Sequence, residues 1–178
     1  MHPRIVEILA YLANVRADLT NVMETTPAEA FLHRPGEGTW NGAQIVHHLG
    51  KVEGATTKLL EGLFAKALAE GLPPDPKTDS VVHSLDHLRI IDRTARPIEA
   101  PERLNPPPDV ELASGWDSLQ RVRDRTHRAV GTVDGRDLTK VSAAHPIFGP
   151  INGYEWVLFI GQHEERHLGQ LRDAIQGA

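Results

Sequence analysis

Cysteine is absent from the 178-residue sequence. This absence excludes disulfide bonds, thiolate nucleophiles and cysteine-ligated zinc, so any metal ion must be bound by His, Asp or Glu. The chain also lacks an apolar run of about 18 residues, and no cationic segment followed by a long apolar run occurs near its N-terminus. Neither a transmembrane helix nor a secretory signal is predicted, and we expect a cytoplasmic protein.

An excess of positive charge is also missing. Lys and Arg together number 19 against 24 for Asp and Glu, which gives a net charge of −5. This balance lacks the electrostatic footprint of a nucleic-acid-binding protein. Hydrophobic residues make up 40% and charged residues 24% of the chain, as in globular proteins. A chain of this length can bury one core, so we expect a single domain over residues 1–178.

Apolar residues recur with a period near 3.6 in four segments, which predicts four amphipathic helices and no strand. Thr39 or Asn41 is suited to cap the second helix. The predicted segments are 4–24, from Trp40 or Asn41 to about Leu68, from Leu112 to a closing stretch at 131–135, and from about Asn152 to Ile175, after a stiff turn at 145–150.

The connection between the second and third helices, 73–108, is unusually long. Residues 80–91 fit a short helix, whereas 95–108 hold five of the 13 prolines and fit an irregular crossover. Short loops join antiparallel neighbours, but a connection of this length lets consecutive helices run parallel. The sequence therefore predicts an all-α fold, a four-helix bundle with a long crossover connection.

Two histidines in the last helix, His163 and His167, have the (i, i+4) spacing that stacks side chains on one helical face. Trp156, Ile160 and Leu171 continue that face, so the imidazoles are expected to be buried. Buried imidazoles need hydrogen-bond partners or a bound cation. We interpret the pair as metal ligands.

His48 is the candidate third ligand because it lies on the apolar stripe of the second helix, whereas His47 lies on the side of Lys51. A hydrogen-bonded core histidine is the alternative for His48. Bundles build metal sites from inward side chains of facing helices. Imidazole suits zinc and nickel, and three imidazoles leave one position open, as in catalytic zinc sites.

The string 163–167 also fits the H-E-x-x-H pattern of zinc peptidases, in which the Glu is the general base. The rest of the pattern is absent, because no His follows His167 and Asp173 is the only later carboxylate. Glu164 is about 100° of helical rotation from His163, so it fits a structural role equally well. Glu53 and Gln170 have similar claims, and no residue is assigned as catalytic.

Two further features have alternative interpretations. His83 and His87 form a second (i, i+4) pair and are the runner-up ligands, although a surface pair on a short helix explains them as well. The third helix carries a dense run of charge from Arg121 to Arg128, which fits a solvated face. Arg123 lies nearer its apolar stripe and is the member that can point inward.

Several short motifs, in this order and spacing, resemble the DinB/YfiT-like superfamily. The resemblance implies a four-helix bundle with a long crossover, often a homodimer, and a divalent ion held by His48, His163 and His167. The motifs are Trp40-Asn41-Gly42-Ala43-Gln44-Ile45-Val46-His47-His48-Leu49, Ala100-Pro101-Glu102, His145-Pro146-Ile147-Phe148-Gly149, Glu155-Trp156 and His163-Glu164-Glu165-Arg166-His167-Leu168-Gly169-Gln170-Leu171.

The resemblance does not fix a reaction. Some members are thiol transferases or isomerases that use a low-molecular-weight thiol such as bacillithiol or mycothiol, and others are named metal-dependent hydrolases. We therefore expect an enzyme that activates a thiol or water for a small-molecule substrate, with thiol transfer favoured and a metal-dependent hydrolase as the alternative. A non-catalytic protein whose histidines only staple the helices together is the second alternative.

Overall fold

The computed structural model describes residues 1–94 and 101–176, and four α-helices form most of this structure. The predicted all-α four-helix bundle is confirmed, with helix bounds within two residues of those expected except where the third helix ends. No helix in this part of the chain is long and apolar enough to cross a membrane. The helices are α1 (Pro3–Thr25), α2 (Gly42–Ala69), α3 (Leu112–Gly131) and α4 (Gly153–Gln176).

A capping box fixes the start of α2. The Asn41 side chain accepts a hydrogen bond from the backbone N–H of Gln44 at 2.9 Å. The Gln44 side chain accepts one from the backbone N–H of Asn41 at 3.1 Å. Two backbone donors that the helix leaves unpaired are thereby satisfied. Asn41 is therefore the cap, and His48 follows it in the second turn of α2.

Helices α2 and α3 run parallel. A Cβ at Gly50 would lie 3.7 Å from the backbone of Leu119, and farther along the hydroxyls of Thr57 and Thr126 are 2.7 Å apart. Because residue numbers rise together along both helices, the two helices run in the same direction. The long crossover between them makes this arrangement possible, as the sequence predicts.

Helix α4 runs parallel to α1 and antiparallel to α2. The guanidinium of Arg4 lies 5.6 Å from the ring centre of Tyr154, and farther along both helices the Tyr11 hydroxyl donates to Glu165. Phe64, near the end of α2, packs against Gly153 at the start of α4. The four helices therefore run up, down, down and up.

A β-hairpin that the sequence did not predict precedes α4. Strands β1 (Ser142–His145) and β2 (Gly149–Asn152) pair antiparallel. The expectation of no strand was wrong here, because four-residue strands are too short to show a clear alternation of apolar and polar residues. Trp156 anchors the hairpin to α4 by donating from Nε1 to the carbonyl of Ala143 at 3.2 Å.

The described part of the crossover is mostly irregular. Residues 80–91 form turns and a single 3₁₀ helix, Asp86–Leu88, instead of the short α-helix that they fit. A second 3₁₀ helix is Glu102–Leu104, and positions 95–100 of the expected crossover lie outside the described residues. Three side chains from one face of α2 bind carbonyls of 104–108: Gln44, His48 and Lys51.

A buried network of ion pairs joins all four helices, with one charged residue from each. The network consists of Arg16 on α1, Glu53 on α2, Arg123 on α3 and Glu164 on α4, and all four are buried. Arg16 Nε donates to Glu164 at 2.8 Å, and Arg123 Nε donates to Glu53 at 2.7 Å. Arg123 Nη2 also reaches Glu164 at 2.6 Å. Two positive charges are thus balanced by two negative ones.

We expect Arg123→Met to lower the free energy of unfolding by about 3–5 kcal/mol, because it leaves two buried carboxylates with one arginine. Arg125→Met on the same helix is the matched control, since its ion pair with Glu61 is solvent-exposed and contributes at most about 1 kcal/mol. Urea denaturation of both variants measures the difference. Equal losses would contradict a structural role for the buried network.

Gly161 allows α4 to approach α1 closely. A Cβ at this position would lie 2.6 Å from the Tyr11 ring and 3.0 Å from Leu12. Gly161→Ala should therefore cost about 1–3 kcal/mol by overpacking. Gly62→Ala is the control, because nothing lies within 4 Å of its Cβ and alanine is the better helix former by about 1 kcal/mol. Thermal unfolding should show shifts of opposite sign.

Candidate metal centre

The three histidines that the sequence selected meet between α2 and α4. One ring nitrogen from each of His48, His163 and His167 lies within 4.8 Å of the others. The ring centres are 4.5 Å apart for the two α4 histidines, and His48 is 4.8 Å from His167 and 5.2 Å from His163. His48 is fully buried and the other two are half-buried. The group therefore has one side nearer to solvent.

Hydrogen bonds fix the tautomers of two of these histidines. Nδ1–H of His48 donates to the carbonyl of Leu104 at 2.9 Å. Nδ1 of His167 lies 2.7 Å from Oε1 of Gln170, which accepts its hydrogen. Each neutral ring then has its lone pair on Nε2. Metal-binding histidines are commonly oriented in this way, with the second nitrogen donating to an oxygen.

The aromatic surroundings keep the imidazoles neutral. Trp40 lies 4.7 Å from the His48 ring and Phe159 lies 5.5 Å from the His163 ring. Burial lowers the pKa of all three histidines, that of His167 to about 3 and that of His163 well below its ordinary value. Neighbouring imidazoles add to the effect. At neutral pH each ring therefore offers an uncharged nitrogen, as metal binding requires.

The donor set fits one divalent ion. Zinc binds imidazole nitrogen at about 2.0–2.1 Å, and small ring movements would bring the three donors to that distance. No fourth His, Asp or Glu joins the group within residues 1–94 and 101–176. The group can therefore hold a metal ion through three protein ligands, while zinc or nickel as its identity stays a prediction.

The residues between His163 and His167 face other parts of the protein. Both oxygens of Glu164 bind the guanidinium groups of Arg16 and Arg123, so its carboxylate belongs to the buried network. Because each step along a helix rotates about 100°, adjacent residues face different neighbours. Glu164 is therefore placed as a structural residue, and the general-base interpretation is not supported.

The runner-up histidines lie elsewhere. His83 and His87 are both exposed on the crossover, and His83 Nδ1 lies 3.0 Å from the Asp86 carboxylate three residues later. Neither joins the three-histidine group. The (i, i+4) spacing does not bring these two side chains together, because residues 80–91 do not form an α-helix.

Two residues near the site escaped sequence reasoning. Nothing in the sequence indicates the role of the Leu104 carbonyl, because any residue type can supply a main-chain acceptor. The role of Arg16 is indicated by its position, since it lies four residues after Leu12 and three before Leu19 on the apolar stripe of α1. A charged residue on such a stripe indicates a buried partner.

The lowered pKa values predict an acid-sensitive metal-free fold. The pKa of histidine in an unfolded chain is near 6.5, whereas burial lowers the pKa of His167 in the folded protein to about 3. Below pH 6.5 the unfolded chain therefore binds protons that the folded chain does not, so the free energy of unfolding falls as pH falls. Each such histidine contributes up to about 1.4 kcal/mol per pH unit.

Urea denaturation of chelator-treated protein between pH 7 and pH 5 measures this slope. We expect His167→Gln to reduce it, because the substitution removes one buried imidazole. The exposed double variant His83→Gln/His87→Gln should keep the slope of the unchanged protein. The same slope in all three proteins would contradict neutral burial of His167.

Comparisons with known proteins agree with this architecture. The solved structure described as the crystal structure of TT2238, a four-helix bundle protein, superposes with a TM-score of 0.64 at 20% identity, covering 95% of this chain and 98% of that one. An uncharacterized protein of Bacillus subtilis (strain 168), YuaE, is 24% identical over 159 residues, 89% of this chain and 91% of the relative. The family model of the DinB superfamily matches residues 11–171. This chain therefore belongs to the DinB superfamily.

Proposed function

We propose that the protein is a metal-dependent enzyme that transfers a low-molecular-weight thiol to a small electrophilic substrate. The observation that carries this proposal is the group of His48, His163 and His167. Three neutral imidazoles converge there, and no fourth protein ligand closes the group in the described part of the chain. A structural zinc site is usually closed by four protein ligands, whereas a catalytic site keeps one position for water or substrate.

The chemistry at this position follows from the ligand set. A divalent ion held by the three histidines would lower the pKa of a thiol or water bound to it, and so supply a nucleophile near neutral pH. The protein's own contribution is to hold the ligand rings in place. Leu104 and Gln170 do this by accepting hydrogen bonds from Nδ1 of His48 and His167.

Transfer of a thiol is supported over hydrolysis because no Asp or Glu among the described residues joins the three-histidine group as a general base. Glu164 is the carboxylate that the peptidase pattern would use, and both of its oxygens bind arginine. Free thiols lose their proton near pH 8.5, while bulk water does so only near 15.7. A thiol therefore needs much less assistance to become a nucleophile at a site without a general base.

The surroundings also suit a small organic substrate. Trp40 and Phe159 present aromatic rings beside His48 and His163. Apolar walls exclude water and strengthen electrostatic interactions inside a site. We infer that an apolar electrophile binds against these rings. The homodimer that the family resemblance implies stays a prediction.

We expect His48→Ala, His163→Ala and His167→Ala each to abolish stoichiometric binding of zinc or nickel, because each removes one of three ligands. The double variant His83→Ala/His87→Ala is the control and should keep the metal. Elemental analysis after dialysis measures the stoichiometry. Loss of metal in the control with retention in His163→Ala would show that the wrong pair was chosen.

The reaction itself is tested with metal-loaded protein and an electrophilic dye. We expect conjugation only when bacillithiol, mycothiol or glutathione is supplied, and no acceleration by His163→Ala. Cleavage of an activated ester without thiol would instead favour the hydrolase. If neither activity occurs and the metal proves fully closed by protein ligands, the histidines only staple the helices and the enzyme proposal is withdrawn.

A further inference from the structure

His145, at the end of β1, has one ring nitrogen bound by the hairpin, and its other ring nitrogen has no hydrogen-bond partner among the described residues. Its Nδ1 accepts the backbone N–H groups of Ile147 at 3.2 Å and Phe148 at 3.4 Å. In the neutral ring the hydrogen must then be on Nε2, at the opposite edge. The hairpin therefore presents a fixed N–H donor that points away from its own turn.

Three aromatic rings hold this imidazole in place. The ring centres of Phe148, Trp156 and Phe159 lie 4.6, 5.2 and 4.7 Å from that of His145. The residue is 8% exposed, and burial lowers its pKa to about 4, so the ring is neutral at pH 7. A buried aromatic surrounding with a rigid tautomer makes a preorganised hydrogen-bond donor, because little reorganisation is needed on binding.

The Nε2–H group is unpaired but accessible. No residue in the described ranges accepts the hydrogen of Nε2. Nε2 is also not fully enclosed, in contrast to the unpartnered side-chain atoms of His2, His47, Ser84 and Gln162. A polar group at such a position can be satisfied by water or by a ligand. Buried donors with this access are found where ligands bind.

His145 is also close to the three-histidine group. The ring of Phe159 lies next to both histidines, with its centre 4.7 Å from that of His145 and 5.5 Å from that of His163. The hairpin thus places a donor one aromatic ring away from the candidate metal ligands.

We propose that His145 is a ligand-binding residue of this site, and that its Nε2–H donates a hydrogen bond to an anionic substrate group held beside His163. The inference rests on the proposed function, because it requires a ligand at the remaining metal position. It adds a neutral donor to a group that no carboxylate of the described residues joins. Anionic ligands such as thiolates and carboxylates are selected by this chemistry.

Two substitutions separate ligand binding from a purely structural role. Asparagine places its amide oxygen where Nδ1 lies, so His145→Asn keeps the acceptor for the turn but has nothing at Nε2. Glutamine places its amide near the position of Nε2, so His145→Gln keeps a donor for the ligand but loses the turn acceptor. A structural role predicts that Gln is the harmful change, whereas ligand binding predicts that Asn is.

The test uses the full chain loaded with cobalt(II) and azide as the anionic probe, with binding followed by visible absorption. A hydrogen bond to an anion contributes about 1.5–3 kcal/mol, so we expect azide to bind His145→Asn at least about 10-fold more weakly than the unchanged protein. His145→Gln should bind within about 3-fold. Urea denaturation should show that His145→Asn is at least as stable as His145→Gln, because both lose the buried ring but only Asn keeps the acceptor for the turn.

Azide binding that is unaffected in His145→Asn overturns the inference and leaves the proposed function intact. The inference is also overturned if azide affinity falls only in the less stable His145→Gln, because His145 then has only a structural role in the turn. If the unchanged protein takes up no cobalt, the proposed function fails and the inference falls with it. Metal content, measured first, distinguishes these two failures.

Discussion

The arrangement of the four helices depends on the buried ion pairs among Arg16, Glu53, Arg123 and Glu164. Each residue comes from a different helix, and each charge has partners from at least two others. Buried charges tolerate little displacement, since removing one partner leaves another charge uncompensated in a medium of low dielectric constant. The network therefore fixes the axial register of each helix relative to its neighbours. Packing of apolar side chains alone specifies that register less strictly.

The candidate metal centre benefits from this fixed register. Glu164 directly follows His163 in α4, and Glu53 follows His48 by five residues in α2, so both ligand-bearing helices are held close to their ligands. Two different faces of α4 therefore have separate roles, because consecutive residues are about 100° apart. The same five-residue string that resembles a peptidase motif thus supplies two imidazoles to one face and a structural carboxylate to another.

Two segments outside the helices lie beside the three-histidine group. The crossover brings the Leu104 carbonyl to His48, and the hairpin before α4 brings His145 near Phe159 and His163. Both are held by hydrogen bonds to helical side chains, from Gln44 and Lys51 for the crossover and from Trp156 for the hairpin. The bundle supplies the candidate ligands on rigid elements, while the crossover orients His48.

The sequence by itself determined the four helices, the parallel path that the long crossover permits, and the histidines to consider, because helical periodicity and (i, i+4) spacing are local properties. It also marked Arg123 as a charged residue near the core, whereas Arg16, which lies on the apolar stripe of α1, was missed. Only the tertiary structure decided that Glu164 binds arginine, that His83 and His87 stay apart from the site, and that Leu104 and His145 approach it. These outcomes depend on contacts between residues far apart in the chain, whose partners no local pattern specifies.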